Sequence, residues 1–271
     1  MARIGNYDVM KQIGEGGFGR VFQAKHIYLG EYACLKQNTR ASKQDVELLS
    51  YEAKLLWRLD EYHSIPSIKD FFKIDKTSAV ITMSYIDGNT LEEIVEKKGP
   101  IHPEDCCWIT ERLLGALYYA HCGGVIHSDV KPQNVFVEPQ KHDIKLIDFG
   151  ISSFKPNGSS IPVGYTPRYA APELTRGGPP IPESDIYGAG LVMLRALGGD
   201  VASKNFRSDT PKEIKSFCED LLRFDPRERP NWERDNPLEK ISEVRYKVFG
   251  RRHGSEKVAK VMLKKLKGGG D

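Results

Sequence analysis

Short segments of strand-forming residues, separated by turns, occupy the first part of the chain. Residues 7–37 contain three of them, "YDVMKQI", "RVFQAKHI" and "EYACLKQ", with a glycine-rich turn between the first two. Runs of this length bounded by turn residues predict β-strands. A further apolar run, "SAVITMSYI", predicts a buried strand that ends at "DGNT". We therefore expect a β-rich region at the N-terminal end.

Helical spacing of apolar residues begins after residue 42 and dominates the second half of the chain. Within residues 43–59, one predicted helix face is apolar except for a single carboxylate, and its members are Leu48, Glu52, Leu55, Leu56 and Leu59. Helical spacing returns at 103–123 and, after the small β segments "NVFV" and "IKLID" and a loop rich in Gly, Ser and Pro at 152–168, over most of the rest. The sequence predicts an α+β fold of two lobes, a small β-rich N-lobe with one main helix and a larger, mostly helical C-lobe.

The composition, 39% hydrophobic and 28% charged residues, is typical of a soluble globular protein. The N-terminus "MARIGNYDVM" lacks the pattern of a secretory signal, and no apolar run approaches the roughly 18 residues that span a bilayer. The five cysteines have no C-x-x-C spacing, which favours reduced thiols over a disulfide framework or a zinc site. We expect a cytoplasmic protein.

The small net charge of +3 is concentrated at the C-terminal end. Residues 231–271 hold 11 Lys and Arg against 6 Asp and Glu, whereas the preceding 230 residues hold 29 against 31. The main domain has no basic excess, so nucleic acid is not an expected partner. In the tail, four apolar residues recur at the spacing of one helix face, with lysines around them: Val258, Val261, Met262 and Leu266. Two interpretations stay open: a basic helix on an anionic membrane or in a partner's groove, and a helix packed on the C-lobe or a frayed terminus, which we favour.

A glycine-rich turn, "IGEGGFGRVF", supplies the first candidate chemistry. It places Gly14, Gly16 and Gly19 in a G-x-G-x-x-G pattern with Val21 after it. Glycines let the backbone approach a polyphosphate and direct its N–H groups at the oxygens. A plain hairpin turn has the same pattern, and so do dinucleotide-binding folds, although in those a helix follows the turn and here a strand does.

A lysine and a glutamate are the second candidate pair. Lys36 lies in the predicted strand "ACLKQ", where an ammonium needs a partner. Glu52, on the apolar face of the next helix, is within plausible reach of it. A solvated helix carboxylate is the alternative for Glu52.

Polar groups cluster in the stretch "VIHSDVKPQN". Asp129 could accept a proton from an incoming hydroxyl, and Lys131 could neutralise charge on a transferred phosphate. Asn134, together with Asp148 in "IDFG", offers oxygen ligands that suit Mg²⁺. The alternative for the whole stretch is a polar loop punctuated by Pro132.

Taken in order, these motifs resemble the eukaryotic-type protein kinases over about residues 7–230. The resemblance adds A-P-E at 171–173, "SDIYGAG" with Asp185 and Gly190, and "DPRERP", whose Arg229 is expected to pair with Glu173. It implies a kinase N-lobe at 1–86, which binds ATP, a catalytic and substrate-binding C-lobe at 87–240, and a basic, helical tail at 241–271.

The resemblance also implies site roles, with ATP and Mg²⁺, or Mn²⁺ in its place, bound between the lobes. Lys36 would hold the α- and β-phosphates and pair with Glu52, Asn134 and Asp148 would ligate the metal, and Asp129 would be the catalytic base. Residues around the adenine would be Ala33, Met83 as gatekeeper, Ser84, Tyr85 and Ile86 as hinge, and Phe136.

The class of substrate follows from the same resemblance. In this family, a lysine two residues after the catalytic aspartate, here Lys131, is typical of serine/threonine kinases. Thr166 matches the threonine that contacts the aspartate and the lysine in those kinases. The expected activity is transfer of the γ-phosphate of ATP to Ser or Thr hydroxyls of proteins, including autophosphorylation. His127, Phe149 and Leu56 would stack in an apolar spine, so His127 is expected to be structural.

Two departures from the family stand out. Ser128 occupies the position of an arginine that pairs with a phosphorylated activation loop, and a neutral serine cannot hold a phosphate in that way. Asp185 and Arg229 are only 44 positions apart, so we expect a shortened or missing substrate-docking helix.

Two other functions were weighed against the kinase interpretation. A pseudokinase scaffold would usually lack one of the catalytic groups, all of which are present here. A small-molecule kinase shares the fold and an H-x-D loop, but does not show Lys131 together with D-F-G and A-P-E.

Overall fold

In the computed structural model, residues 2–16 and 19–250 are described. The chain divides into two compact units, Met1–Asp87 and Gly88–Asp271. The first is built on one antiparallel sheet and the second is mostly helical, which confirms the predicted α+β class.

The first unit is a six-stranded antiparallel sheet with one helix. Its elements are β1 (Arg3–Ile4), β2 (Tyr7–Gly16), β3 (Gly19–His26), β4 (Tyr32–Gln37), α1 (Lys43–Arg58), β5 (Ile68–Lys73) and β6 (Ala79–Ser84). The strand order is β1-β2-β3-β4-β6-β5. The predicted strands and helix are therefore present, with ends within a few residues of the predicted ones.

Helix α1 begins at a polar cap and buries its apolar stripe. The Ser42 hydroxyl accepts a hydrogen bond from the Asp45 N–H at 3.0 Å, which satisfies one of the free donors of the first turn. Val46, Leu49 and Leu56 are at most 3% exposed, and the helix packs on β5 and β6. This packing fixes the face that carries Glu52.

The second unit combines helices with two small sheets. Its elements are β7 (Asn89–Thr90), α2 (Leu91–Lys98), α3 (Pro103–Cys122), β8 (Val125–Ile126), β9 (Val135–Glu138), β10 (Asp143–Leu146), β11 (Ser153–Phe154), α4 (Pro172–Thr175), α5 (Pro182–Ala196), α6 (Lys212–Leu221) and α7 (Pro237–Phe249). The sheet orders are β10-β9-β7 and β11-β8. Helices α3, α5, α6 and α7 pack on one another.

The end of the chain departs in one respect from the predicted organisation. Helix α7 crosses the boundary placed at residue 240, because its apolar face packs on α3 and α6. The rest of the predicted tail helix, including Val258, Val261, Met262 and Leu266, lies outside the described residues. Residues 197–211, between α5 and α6, contain no helix, as the short spacing predicted.

Two further properties concern the described part of the chain only. None of its helices combines the length and the apolar character needed to cross a bilayer. All five cysteines are free thiols.

Candidate active site

A buried ion pair links the sheet and the helix of the first unit. The Nζ atom of Lys36 on β4 lies 2.7 and 2.8 Å from the two carboxylate oxygens of Glu52 on α1. The two residues are 7% and 2% exposed. A buried charge pair of this kind is stable only with good geometry, which this contact has. The predicted pairing of Lys36 with Glu52 is therefore present.

The glycine-rich hairpin lies directly beside that lysine. Gly14 pairs with Val21 and Gly16 with Gly19 across β2 and β3, while residues 17 and 18 are outside the described residues. A Cβ atom on Gly19 would lie 2.8 Å from the Gln37 carbonyl oxygen and 3.1 Å from Cγ of Lys36. Only glycine allows this close approach of the hairpin to the Lys36 side chain.

The residues predicted to surround adenine are distributed over both units. Strand pairing sets Ala33 of β4 opposite Ser84 of β6, and the neighbouring pair includes Met83. Tyr85 and Ile86 follow β6 and are half-buried. Phe136 belongs to β9 of the second unit, where it is half-buried.

The loop at 127–134, which is the predicted catalytic loop, is organised around the carboxylate of Asp129, which is 8% exposed. One oxygen, Oδ2, accepts from Lys131 Nζ at 2.6 Å and from Asn134 Nδ2 at 3.2 Å. The other, Oδ1, accepts from the Thr166 hydroxyl at 2.6 Å, and Lys131 Nζ donates to that hydroxyl oxygen at 2.9 Å. The three polar residues predicted to act together thus share one network, and Thr166 joins it.

Asp185 of α5 fixes the backbone that carries this carboxylate. Its two oxygens accept from the N–H groups of His127 and Ser128 at 2.7 and 2.8 Å. Asp185 is 1% exposed, and bonds between a buried carboxylate and backbone N–H groups are the strong, charge-assisted kind. The loop preceding Asp129 is therefore anchored to a helix.

His127 has a structural role that its hydrogen bonds define. Its Nδ1 accepts from the Asp129 N–H at 3.2 Å, so Nε2 carries the proton and donates to the Ile147 carbonyl at 3.0 Å. Its ring meets that of Phe149 edge-on, with centroids 4.7 Å apart. The predicted contact of His127 with Phe149 is present, and Leu56 is buried in the first unit.

A β-hairpin brings the two predicted metal ligands to the same place. Val135 and Leu146 are paired at the open end of β9 and β10, just after Asn134 and just before Asp148. The Ile147 N–H donates to the Asn134 carbonyl at 2.9 Å, which locks this end. Asp148 has φ of 65°, a left-handed conformation that non-glycine residues rarely adopt and that often marks functional sites.

The chemistry of this donor set fits a magnesium ion. Because Asn134 Nδ2 donates to the Asp129 carbonyl at 2.9 Å, its amide oxygen is the atom left for a cation. Within the described residues, no three His, Cys, Asp or Glu side chains are grouped to hold a metal. Mg²⁺ does not need such a group, since it binds one or two side-chain oxygens together with waters and phosphates.

The predicted pair of Glu173 and Arg229 is also present. Two guanidinium nitrogens of the fully buried Arg229 donate to the two Glu173 oxygens at 2.7 and 2.8 Å. Burial raises the pKa of the Glu173 carboxyl, but the hydrogen bonds from Arg229 and Ser184 outweigh it and hold that pKa below its usual value. This pair ties α4 to the segment after α6.

Three residues of the site were not predicted from the sequence. The indole N–H of Trp232 donates to Nδ1 of His121 at 2.8 Å, and the other ring nitrogen, Nε2, lies 2.8 Å from Asp185. Indole is only a donor, so Nδ1 accepts and Nε2–H donates to the carboxylate. Gly188 is the third, because a Cβ there would lie 2.8 Å from Cβ of Val130. These residues are far apart in the sequence, so only the folded structure shows that they are in contact.

Comparison with known proteins gives one family. The sequence model of the protein kinase domain matches residues 7–239. Serine/threonine-protein kinase pkn3 of Myxococcus xanthus is 33% identical over 206 residues, covering 71% of this chain and 38% of that protein. Serine/threonine-protein kinase PrkC of Bacillus subtilis is 30% identical over 226 residues, covering 76% of this chain and 34% of that protein.

The chain belongs to the protein kinase family, within its eukaryotic-type serine/threonine branch, and has the two-lobed fold of that family. It spans a little over a third of the length of these two relatives.

Proposed function

We propose that this chain is an ATP- and Mg²⁺-dependent protein kinase that transfers the γ-phosphate of ATP to Ser and Thr hydroxyls of proteins, including its own. The observation that carries the proposal is the network around Asp129, in which three donors hold one buried carboxylate. Family membership supports the kinase class, and the names of the relatives support the Ser/Thr preference.

Asp129 is the proposed base for the acceptor hydroxyl. An ionised carboxylate offers about four acceptor positions. Two on Oδ2 are taken by Lys131 and Asn134, and one on Oδ1 by Thr166. The remaining position on Oδ1 can accept the O–H of a substrate serine or threonine and receive its proton during transfer.

Lys131 supplies positive charge at the place of transfer. Its ammonium bridges Asp129 and Thr166 at 2.6 and 2.9 Å, so it is fixed before the substrate arrives. A preorganised cation stabilises developing charge better than a mobile one. The Thr166 hydroxyl holds this ammonium and the base in one geometry.

Lys36 and the glycine-rich hairpin are the proposed nucleotide contacts of the first unit. Glu52 orients the ammonium. Apart from the chain neighbours of Gly16, no atom of the described residues lies within 4 Å of the place of its missing Cβ, which leaves room for phosphate oxygens. When bound at Asn134 and Asp148, Mg²⁺ would neutralise charge on the phosphates.

Transfer of label from γ-labelled ATP to a generic basic protein, with Mg²⁺ present, tests the proposal. We expect phosphoserine or phosphothreonine with the wild-type protein. Loss of the base in Asp129→Asn should slow transfer by about 10²- to 10⁴-fold. Asp209→Asn, which changes an exposed carboxylate, is the matched control and should keep wild-type activity.

Three results would contradict the proposal. They are an unchanged rate in Asp129→Asn, nucleotide binding without any transfer, which would favour a scaffold, and transfer to small molecules only. Chelation of divalent cations should stop transfer, and activity in excess chelator would remove Mg²⁺ from the proposal.

A further inference from the structure

A concave pocket of about 390 Å³ lies in the second unit, beside the ion pair of Glu173 with Arg229. Two segments line it, residues 172–178 and 224–226. Its lining residues are Pro172, Glu173, Arg176, Gly178, Phe224, Asp225 and Pro226. The Glu173 carboxylate is held by Arg229 and that of Asp225 by Arg227. A pocket of this size accommodates one or two side chains.

An exposed aromatic ring and a cation give the pocket its character. Phe224 is 56% exposed, and the guanidinium carbon of Arg176 lies 4.6 Å from the centre of its ring. Among the described residues, no carboxylate lies within ion-pair distance of Arg176. Since the two carboxylates of the lining are paired with other arginines, the pocket offers an apolar surface beside the guanidinium of Arg176.

Buried hydrogen bonds hold the two walls together. Besides its two bonds to Glu173 on one wall, Arg229 donates to the carbonyl oxygens of Arg223 and Phe224 on the other, at 2.8 and 3.0 Å. A recess with a fixed backbone binds without the entropic cost of ordering loops. The pocket is preformed.

Chain connectivity places the pocket near the proposed transfer site. Pro172 is six residues beyond Thr166, whose hydroxyl is bonded to Asp129. Six residues span at most about 20 Å when extended. A peptide with its acceptor at Asp129 reaches the pocket with a segment of similar length.

We propose that this pocket is a docking subsite for the protein substrate, and that it binds an apolar side chain next to a carboxylate. The inference rests on the proposed kinase function. The apolar side chain lies against Phe224 and the prolines, and the carboxylate pairs with Arg176. Such a pair of contacts combines burial of apolar area with charge complementarity, as interface anchors do.

Synthetic peptides of defined design test the subsite. Each peptide has one serine acceptor, a Gly/Ala spacer of two to eight residues on either side, and Leu-Glu, Leu-Lys or Ala-Ala at the far end. At one spacer length and direction, we expect the Leu-Glu peptide to have a KM at least fivefold lower than the Ala-Ala peptide. The kcat values should agree within twofold, because the anchor does not touch the reacting atoms.

Three variants separate docking from folding. Phe224→Ala should abolish the KM advantage of Leu-Glu, and Arg176→Glu should reverse the preference to Leu-Lys. A reversal cannot result from a damaged fold. Trp57→Ala removes a 70% exposed aromatic residue from the other unit and should keep the preference for Leu-Glu.

The outcomes distinguish this inference from the proposed function. Equal KM values for all end groups, or no peptide phosphorylation by an enzyme that phosphorylates the basic protein, would overturn the docking subsite alone. A change from dimer to monomer in Phe224→Ala, measured by sedimentation, would show a contact between copies instead and would also overturn it. Absence of transfer to every substrate would overturn the kinase function itself.

Discussion

At position 128 the catalytic loop carries a serine with a left-handed backbone, φ being 67°. Its N–H is bonded to Asp185, while its hydroxyl is buried and has no hydrogen-bond partner among the described residues. The residue therefore contributes through its backbone. A neutral side chain cannot pair with a phosphate on the following segment as a guanidinium would.

We predict that activity does not depend on phosphorylation of residues 152–166. Protein treated with a phosphatase should retain at least half the transfer rate of untreated protein in a labelled-ATP assay, because Ser128 offers the phosphate no cation. Protein freed of the phosphatase before the assay is compared with a mock-treated sample. Complete loss of activity, restored by preincubation with ATP, would contradict the prediction.

The ion pair of Glu173 with Arg229 makes stability depend on pH. The folded pKa of Glu173 is lowered, so its contribution is complete above the unfolded value of about 4.3 and is lost as pH falls through the folded pKa. Glu173→Gln should lower the free energy of unfolding at pH 7 by about 3 kcal/mol, since it leaves Arg229 buried and unpaired.

The measurement is denaturant unfolding of wild type and variant between pH 7 and pH 3. The difference in the free energy of unfolding between wild type and variant should become smaller as the pH falls. Glu228→Gln, an exposed carboxylate on the same segment, serves as the control and should show little gap at any pH. If the difference in the free energy of unfolding stayed constant down to pH 3, the ion pair would not be the cause of that difference.

At the scale of elements, short connections fix the polar groups. The β9–β10 hairpin places Asn134 and Asp148 at one end, and α5 holds the loop before Asp129 through Asp185. A further hydrogen-bonded chain leads from Asp185 through His121 to Trp232, which lies beyond α6. The loop before Asp129 is therefore bonded directly to α5 and, through Asp185, to His121 of α3 and Trp232 beyond α6.

Trp232→Phe tests that support. It removes the donor to His121 and should lower the free energy of unfolding by about 1 kcal/mol. The ¹⁵N shift of His121 Nδ1 should move, because the indole N–H no longer fixes the tautomer. Trp108→Phe is the control for ring size, since in the part of the chain that the structure describes its indole N–H has no acceptor. Equal loss of stability in both variants, with the shift unchanged, would contradict the role of the bond.

The motif residues and the longer elements were predicted from the sequence, whereas β5, α2 and the hydrogen bonds that hold the site residues in place were not. The helix at 43–59 follows from apolar spacing, and the lysine–glutamate pair follows from a charge on a buried strand that needs a partner. Trp232 and His121 are 111 positions apart, so no local pattern joins them. The left-handed backbone of Ser128 accompanies a hydrogen bond from its N–H to Asp185, 57 positions away, which residue type does not encode.

At the scale of the whole molecule, the excess of basic residues and the proposed catalytic residues lie in different parts of the sequence. Every residue assigned to the proposed transfer lies before position 186. The segment 251–271 carries 7 Lys and Arg against 2 Asp and Glu. Without it, the remaining chain would have a net charge of −2.

Removal of residues 251–271 should therefore change the electrophoretic behaviour and leave the chemistry unaltered. We expect kcat on a short serine peptide to stay within twofold of the full chain, and the protein to migrate as an anion at pH 7. Sedimentation with vesicles of phosphatidylserine compares the two chains as binders of anionic lipid. A drop of kcat by tenfold or more would show that the segment takes part in transfer.

The contact between Gly188 and Val130 has a consequence for how freely this sequence can vary. Helix α5 approaches the catalytic loop so closely that even a methyl group at 188 would displace Val130, one residue from the proposed base. In a saturation library selected for phosphoryl transfer, alanine at 188 should be depleted as strongly as asparagine at 129. Gly188, which has no side chain, would then tolerate substitution as poorly as the proposed base Asp129.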